Sequence, residues 1–186
     1  VATHAIAAGL YPKLPYDPIA DFAPITQLTS SPLVLAVSPQ FRPANVAELI
    51  AAAKSQPGKV NYASTGNGTA LHIAGEAFRA ATGIDVVHVP YKGGAQATTA
   101  LLAGEVGYML ANPQLVMSFI QAGKLRGLAV TGQARLDALP AVPTLKEAGV
   151  DGVDVQQWYG FFAPAKTPKA VIEQLNKALN QVLNDK

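Results

Sequence analysis

The stretch Lys59-Val-Asn-Tyr-Ala-Ser-Thr-Gly-Asn-Gly-Thr-Ala-Leu-His-Ile-Ala-Gly-Glu-Ala-Phe78 reads as a short strand, a Gly-rich turn and the opening of a helix. Tyr62 and Ala63 end the apolar run, Ser64 and Thr65 bring hydroxyls, and Gly66 and Gly68 let the backbone turn sharply and approach a ligand closely. A helix beginning near Thr69 exposes first-turn amides that have no intrahelical partner. The positive end of its dipole is worth roughly 0.3–1 kcal/mol to an anion placed there, before hydrogen bonds are added. Taken alone, the turn fits a ligand loop and an ordinary strand-to-helix connection.

Outward from it the same unit recurs. Strand 60–63 leads through the turn to a helix with Leu71, Ala74, Phe78 and Ala81 on one face, closed by Gly83. Strand 85–89 leads through Pro90-Tyr-Lys-Gly-Gly94 to a second helix. Strand 106–110 leads to a third, with Asn112 suited to the N-cap and Pro113 to the first helical position. A fourth strand spans 125–131. Strands alternating with helices of this length predict right-handed βαβ crossovers and a largely parallel sheet. The turns 64–69, 91–94 and 112–114 then share one edge, where open α/β sheets bind ligands.

The flanks differ in style. Before the repeat, 22–38 predicts one or two buried strands, and Asn45 with Glu48 predicts a capped helix stopped by Pro57-Gly58. Residues 1–22, punctuated by Pro12, Pro15 and Pro18, read as irregular surface structure. After Gly132 the pattern predicts a Pro-rich connection, a short helix opened by Thr144 and Glu147, an aromatic strand over 153–163 and a final helix from Pro168. The shifts near 38 and 132 place an α/β lobe in the middle of the chain and let both ends contribute to another.

Composition limits the function. With 49% hydrophobic and 14% charged residues, a core is assured. A net charge of +2 without a Lys/Arg cluster gives no footprint for nucleic acid. Apolar runs such as 33–37 fall far short of the ~20 residues that span a bilayer, so membrane insertion is not expected. Without cysteine there is neither a disulfide nor a thiolate metal site.

Within the helix after the turn, His72, Glu76 and Arg79 read as a solvated polar face rather than metal ligands. Ser64 and His72 lack the Gly-x-Ser-x-Gly elbow of a nucleophile, and the Gly pattern lacks both the third Gly of a dinucleotide fingerprint and a Walker lysine. No catalytic residue, metal or cofactor is expected. Asn112 suits a cap as well as a ligand contact, Tyr91 a core edge as well as a cleft wall, and Trp158 and Tyr159 the core more than a ligand platform. Two functions remain. A binding protein needs only amides and hydroxyls to take a carboxylate. An enzyme of hydrolase or isomerase type needs an acid–base pair, and the three turns contain no Asp or Glu.

Several runs carry a family likeness: Tyr11-Pro-Lys-Leu-Pro-Tyr-Asp-Pro18, Phe22-Ala-Pro-Ile25, Val60-Asn-Tyr-Ala-Ser64 with its Gly turn and His72, His88-Val-Pro-Tyr-Lys-Gly93, Ala122-Gly-Lys-Leu-Arg-Gly-Leu-Ala-Val-Thr131, Leu139-Pro-Ala-Val-Pro-Thr144 and Trp158-Tyr-Gly-Phe-Phe-Ala-Pro164. Together these resemble the Bug family, the extracytoplasmic substrate-binding proteins of tripartite tricarboxylate transporters. The resemblance implies an α/β, periplasmic-binding-protein-like (type II, flytrap) two-lobed architecture, with one complete, mainly parallel βαβ lobe and one partial lobe. It implies a first lobe from 1–37 and 132–186, a second from 38–131, and crossover strands near 33–38 and 127–132. It implies periplasmic capture of a small carboxylate (a dicarboxylate, tricarboxylate, amino acid or aromatic acid) and delivery to membrane permease subunits. Carried over, Ser64, Thr65, Gly66, Asn67, Gly68 and Thr69 form one ligand loop, Tyr91, Gly93 and Gly94 the next, and Asn112 with Gln114 the third. Family members begin with a signal peptide and a further strand-and-helix region. This chain, with no starting Met, is expected to begin after them, to stop short of the family's extreme C-terminus, and to lack part of the first lobe and of the ligand clamp; a non-binding or sensor module is the corresponding alternative.

Overall fold

The computed structural model of the chain describes residues 2–185. The described chain divides into two compact units. One takes the chain up to Ser30 and from Trp158 onward, and the other is Ser31–Gln157.

The larger unit is built on a five-stranded sheet of order β4-β3-β5-β2-β6, from β2 (Val34–Val37), β3 (Asn61–Ser64), β4 (Val87–Pro90), β5 (Tyr108–Ala111) and β6 (Arg126–Val130). β3 pairs in parallel with both β4 and β5, as the βαβ connections require, while β2 runs antiparallel to both β5 and β6. Thus β3, β4, β5 and β6 all point one way, and β2 is the exception to the expected parallel order. It enters as a separate strand, not through a crossover helix. All four residues of β2 and of β5 are buried, as two-sided coverage demands.

The connecting helices are α3 (Ala70–Thr82), α4 (Gly94–Ala103) and α5 (Pro113–Gln121), preceded by α2 (Val46–Ser55). α3 packs on β3 and β5, α4 on β3, and α5 on β2. The caps predicted at Asn45 and Gly83 form. Asn45 accepts the Glu48 amide at 2.9 Å, and Glu48 returns a bond to the Ala44 amide. Thr69 caps α3, and Gly83 ends it in the left-handed region. Thr144 and Glu147 also exchange their capping bonds, at 2.7 and 3.0 Å, but a turn follows instead of the expected helix. The segment is taken up by pairing beside β6, where the Val130 amide donates to the Pro143 carbonyl at 2.9 Å and the Leu145 amide donates to the Val130 carbonyl at 2.8 Å, on either side of the Val130–Thr144 bridge.

The smaller unit pairs β1 (Phe22–Pro32) with β7 (Gln156–Pro164) and carries α1 (Ala2–Leu10) and α6 (Lys169–Asn184). The helix α1 corrects the reading of residues 1–22 as irregular, because the three prolines all follow its end and leave an Ala-rich segment free to coil. α6 is tied by amide side chains, with Asn176 Nδ2 donating to the Ile25 carbonyl at 2.6 Å. Among the described residues no helix is long and apolar enough to cross a membrane.

Candidate functional site

The order β4-β3-β5 means that the chain leaves β3, lays down β4 on one side and returns to lay β5 on the other. The carboxyl ends of β3 and β5 therefore flank a topological switch point, where neighbouring connections part and leave a crevice. Ser64 ends β3, and Asn112 follows β5.

The first two turns are joined by the backbone, since the Tyr91 amide donates to the Ser64 carbonyl at 3.0 Å. Gly66 lies close enough that a Cβ there would meet the Tyr91 carbonyl oxygen at 3.7 Å. The second and third turns meet by packing. Gly94, the first residue of α4, sits against Leu115 of α5 so tightly that a Cβ would fall 2.6 Å from its Cδ2. Gly93 at the N-cap has φ 135°, a conformation open to glycine. The three predicted turns thus occupy one edge.

Individual residues differ in what they offer. Ser64 is fully buried, and its Oγ accepts the Gly66 amide at 3.1 Å while lying 2.6 Å from His88 Nε2. Thr65 and Gly66 are half-buried, Asn67 is exposed and Gly68 buried. Thr69 is occupied with capping, accepting from the His72 amide and donating to the Gly66 carbonyl at 2.9 Å. Asn112 stands at the N-cap of α5, yet its side chain makes no capping bond, and its Oδ1 is buried without a hydrogen-bond partner. Gln114 is exposed on the first turn of α5. Tyr91 is half-buried and also borders a groove of about 460 Å³ along α4 that reaches Glu105.

Behind the edge lies a feature that the periodicity did not announce. His72, His88, Tyr62 and Tyr108 form a run of stacked rings, with centroids 4.1, 5.0 and 5.5 Å apart in turn, and Phe78 meets Tyr108 edge-on. Tyr62 Oη donates to Glu76 at 2.6 Å, and Arg79 binds the other Glu76 oxygen. His72 and Glu76 are therefore turned onto the sheet, half-buried, and are not the solvated face expected of them. Tyr62 and Ser64 share one face of β3, and His88 lies opposite Tyr62 in the register. Burial pushes the Glu76 carboxyl up, but the bonds from Tyr62 and Arg79 and the Arg79 charge more than reverse this, and it stays below its ordinary range.

Burial, with His72 adding to it and Glu76 opposing, holds His88 below the ordinary imidazole value of 6.5. An unfolded histidine then binds its proton at a higher pH than folded His88. The stability contributed is intact above that value and is lost as pH falls through the lower folded one. Thermal melts from about pH 7.5 to about pH 5 are expected to show a falling Tm with a shallower slope in His88→Gln; equal slopes would rule His88 out as the source.

This α/β fold is that of solved periplasmic binding proteins, among them a periplasmic transporter protein (TM-score 0.90, 38% identity, 98% of this chain and 62% of that one). The family model described as tripartite tricarboxylate transporter family receptor matches residues 1–185, and the chain belongs to that family. It is 34% identical to Protein BugT of Bordetella pertussis over 98% of this chain and 56% of that protein. Among solved structures it is similar to MatC from Rhodopseudomonas palustris with bound malate (TM-score 0.90, 32% identity, 100% of this chain and 63% of that one). It is also similar to an R. palustris protein solved with adipate (TM-score 0.88, 32% identity, 95% and 59%). The chain spans about half the length of the curated relatives it matches.

Proposed function

We infer that this chain is the ligand-holding part of an extracytoplasmic, periplasmic solute-binding protein that captures a small carboxylate for the membrane permease subunits of a tripartite transporter. The observation that carries this reading is the meeting of three acid-free turns on one sheet edge, tied by Tyr91 to Ser64 and by Gly94 to Leu115. Helix first-turn amides supply the donors, Ser64, Thr65, Gly66, Asn67, Gly68 and Thr69 the first loop, Tyr91, Gly93 and Gly94 the second, and Asn112 and Gln114 the third. The unpartnered Asn112 Oδ1 marks its side chain as uncommitted to capping. Malate and adipate, bound by the two relatives, are both dicarboxylates and set the class to test.

An enzyme is the poorer reading. Ser64 and His88 do make a hydroxyl–imidazole contact, but Ser64 is fully buried and Glu76, the nearby acid, is engaged by Tyr62 and Arg79 and does not orient the ring. Segments 33–38 and 127–132 serve as crossover strands between a lobe of 38–131 and one from 1–37 and 132–186. The two segments lie side by side within the Ser31–Gln157 unit, the Leu33 amide donating to Thr131 Oγ1 at 3.0 Å and the Thr131 amide to the Leu33 carbonyl at 2.9 Å.

Calorimetric and thermal-shift titrations with malate, adipate, citrate and putrescine test the reading. Saturable binding of a carboxylate at about 100 times its Kd is expected to add roughly 2.7 kcal/mol of stability, with no response to the diamine. A folded chain indifferent to every acid, or one that takes the diamine, would sink it.

A further inference from the structure

Gly68 is buried in the middle of the first turn, between an exposed Asn67 and a half-buried Thr69. Its amide points to Nδ1 of His72, 3.2 Å away on the opening turn of α3. A backbone amide only donates, so Nδ1 must offer its lone pair and the ring hydrogen must sit on Nε2. His72 is neutral in this conformation. Its ring lies on that of His88 at 4.1 Å and 27°, and His88 in turn contacts Ser64, whose Oγ takes the Gly66 amide. Two stacked imidazoles, one from α3 and one from β4, therefore hold the turn at both Gly66 and Gly68.

We propose that His72 is a positioning residue of the ligand turn: in its neutral Nε2–H form it latches the Gly68 amide, and a proton on Nδ1 releases that amide and the carboxylate-holding conformation with it. The ligand consequence rests on the carboxylate reading above, whereas the latch itself does not. Several groups face His72. On its own helix Glu76 favours an imidazolium but is already bound by Tyr62 and Arg79. From β4 His88 opposes a second positive charge. From β3 and β5 come Tyr62 and Tyr108, which burial keeps protonated. Ser64 and the rest of the first turn carry no charge, and among the described residues His88 is the other imidazole bonded to this turn.

The experiment uses wild type, His72→Asn and His72→Leu. Asparagine places a non-titrating acceptor where Nδ1 stands, and leucine fills the space against His88 without one. In the unliganded wild type, nitrogen NMR is expected to show Nδ1 of His72 as an unprotonated nitrogen, with the Gly68 amide shift following the His72 titration. A Gly68 amide indifferent to that titration overturns the latch. With malate and adipate, His72→Leu is expected to weaken binding about 3- to 10-fold, the worth of one hydrogen bond, while His72→Asn binds as wild type near neutral pH. Wild type should lose affinity on acidification more steeply than His72→Asn, a comparison that cancels the ligand's own titration. Equal affinity in wild type and His72→Leu overturns the positioning role. If no acid binds any of the three while Gly68 still follows His72, the latch stands and the carboxylate reading fails.

Discussion

Gly75→Ala is expected to destabilise the chain by ~2–4 kcal/mol, although alanine is the better helix former. Gly75 is on α3 where the helix crosses the ring of Tyr62, and a Cβ there would lie 2.2 Å from Tyr62 Cε2 and 2.7 Å from Cζ. Such a contact requires movement. The ring cannot withdraw, because it is fully buried, stacked between His88 and Tyr108, and tied through Oη to Glu76. Helix propensity returns up to ~1 kcal/mol, too little to offset overpacking. At roughly 2–4 °C per kcal/mol for a chain of this size, Tm should drop by about 5–15 °C. Tyr62→Leu in the same chain removes the obstructing ring, so a double-mutant cycle should show a coupling above ~1 kcal/mol. An unchanged Tm in Gly75→Ala would mean that α3 moves freely on the sheet.

The same packing explains how the turn is held. α3 begins at Thr69, so whatever fixes the helix on Tyr62 also fixes where its first-turn amides and the preceding turn are placed. Gly75 allows close approach, Tyr62 and Tyr108 set the height of the helix above the sheet, and His72 and His88 pass that placement on to Gly68 and Ser64. Packing in the core and geometry at the edge are one chain of contacts. A change at Gly75 is thus also expected to disturb the edge.

The repeating units 60–83, 85–104 and 106–123 were legible because each states its type locally: an apolar run, a Gly- or Pro-marked turn and an apolar stripe closed by glycine. Their common direction follows from connectivity alone, which is why the shared edge is legible in the sequence. The antiparallel insertion of β2 could not, since nothing in Val34–Val37 says which neighbours a fully buried strand will choose. The helix over Ala2–Leu10 is hidden by the prolines at 12, 15 and 18, which follow the segment without interrupting it. Thr144 and Glu147 show the converse, a cap signal fully satisfied with no helix after it. For the site, glycines and hydroxyls marked the turns, but the two histidines that support them lie 16 residues apart on different elements. Only tertiary pairing of β3 with β4 brings His88 under His72, and no local pattern encodes that.

On the carboxylate reading, Gly66→Ala is expected to lower affinity for malate and adipate by about 10- to 100-fold, at ~1.4 kcal/mol per decade. Space is not the issue, because the nearest atoms to an added Cβ are the Tyr91 oxygen at 3.7 Å and Thr69 Cγ2 at 4.0 Å, both ordinary contacts. The backbone is. Gly66 has φ 121°, outside both regions open to L-residues, and holding alanine there costs about 1–3 kcal/mol. The chain escapes by rotating the turn, which breaks the Ser64 Oγ bond to the Gly66 amide and the Thr69 bonds to the Gly66 carbonyl. Those bonds aim the turn at the switch point, so affinity falls further than global stability, whose loss should stay within ~2 kcal/mol for a half-exposed loop. Gly123→Ala is the matched control. Gly123 also has positive φ (68°) with open space around it, but it follows the far end of α5. It should lose about 1 kcal/mol of stability and none of its affinity. If both variants bind a dicarboxylate as wild type does, the turn after β3 is not where the carboxylate is held.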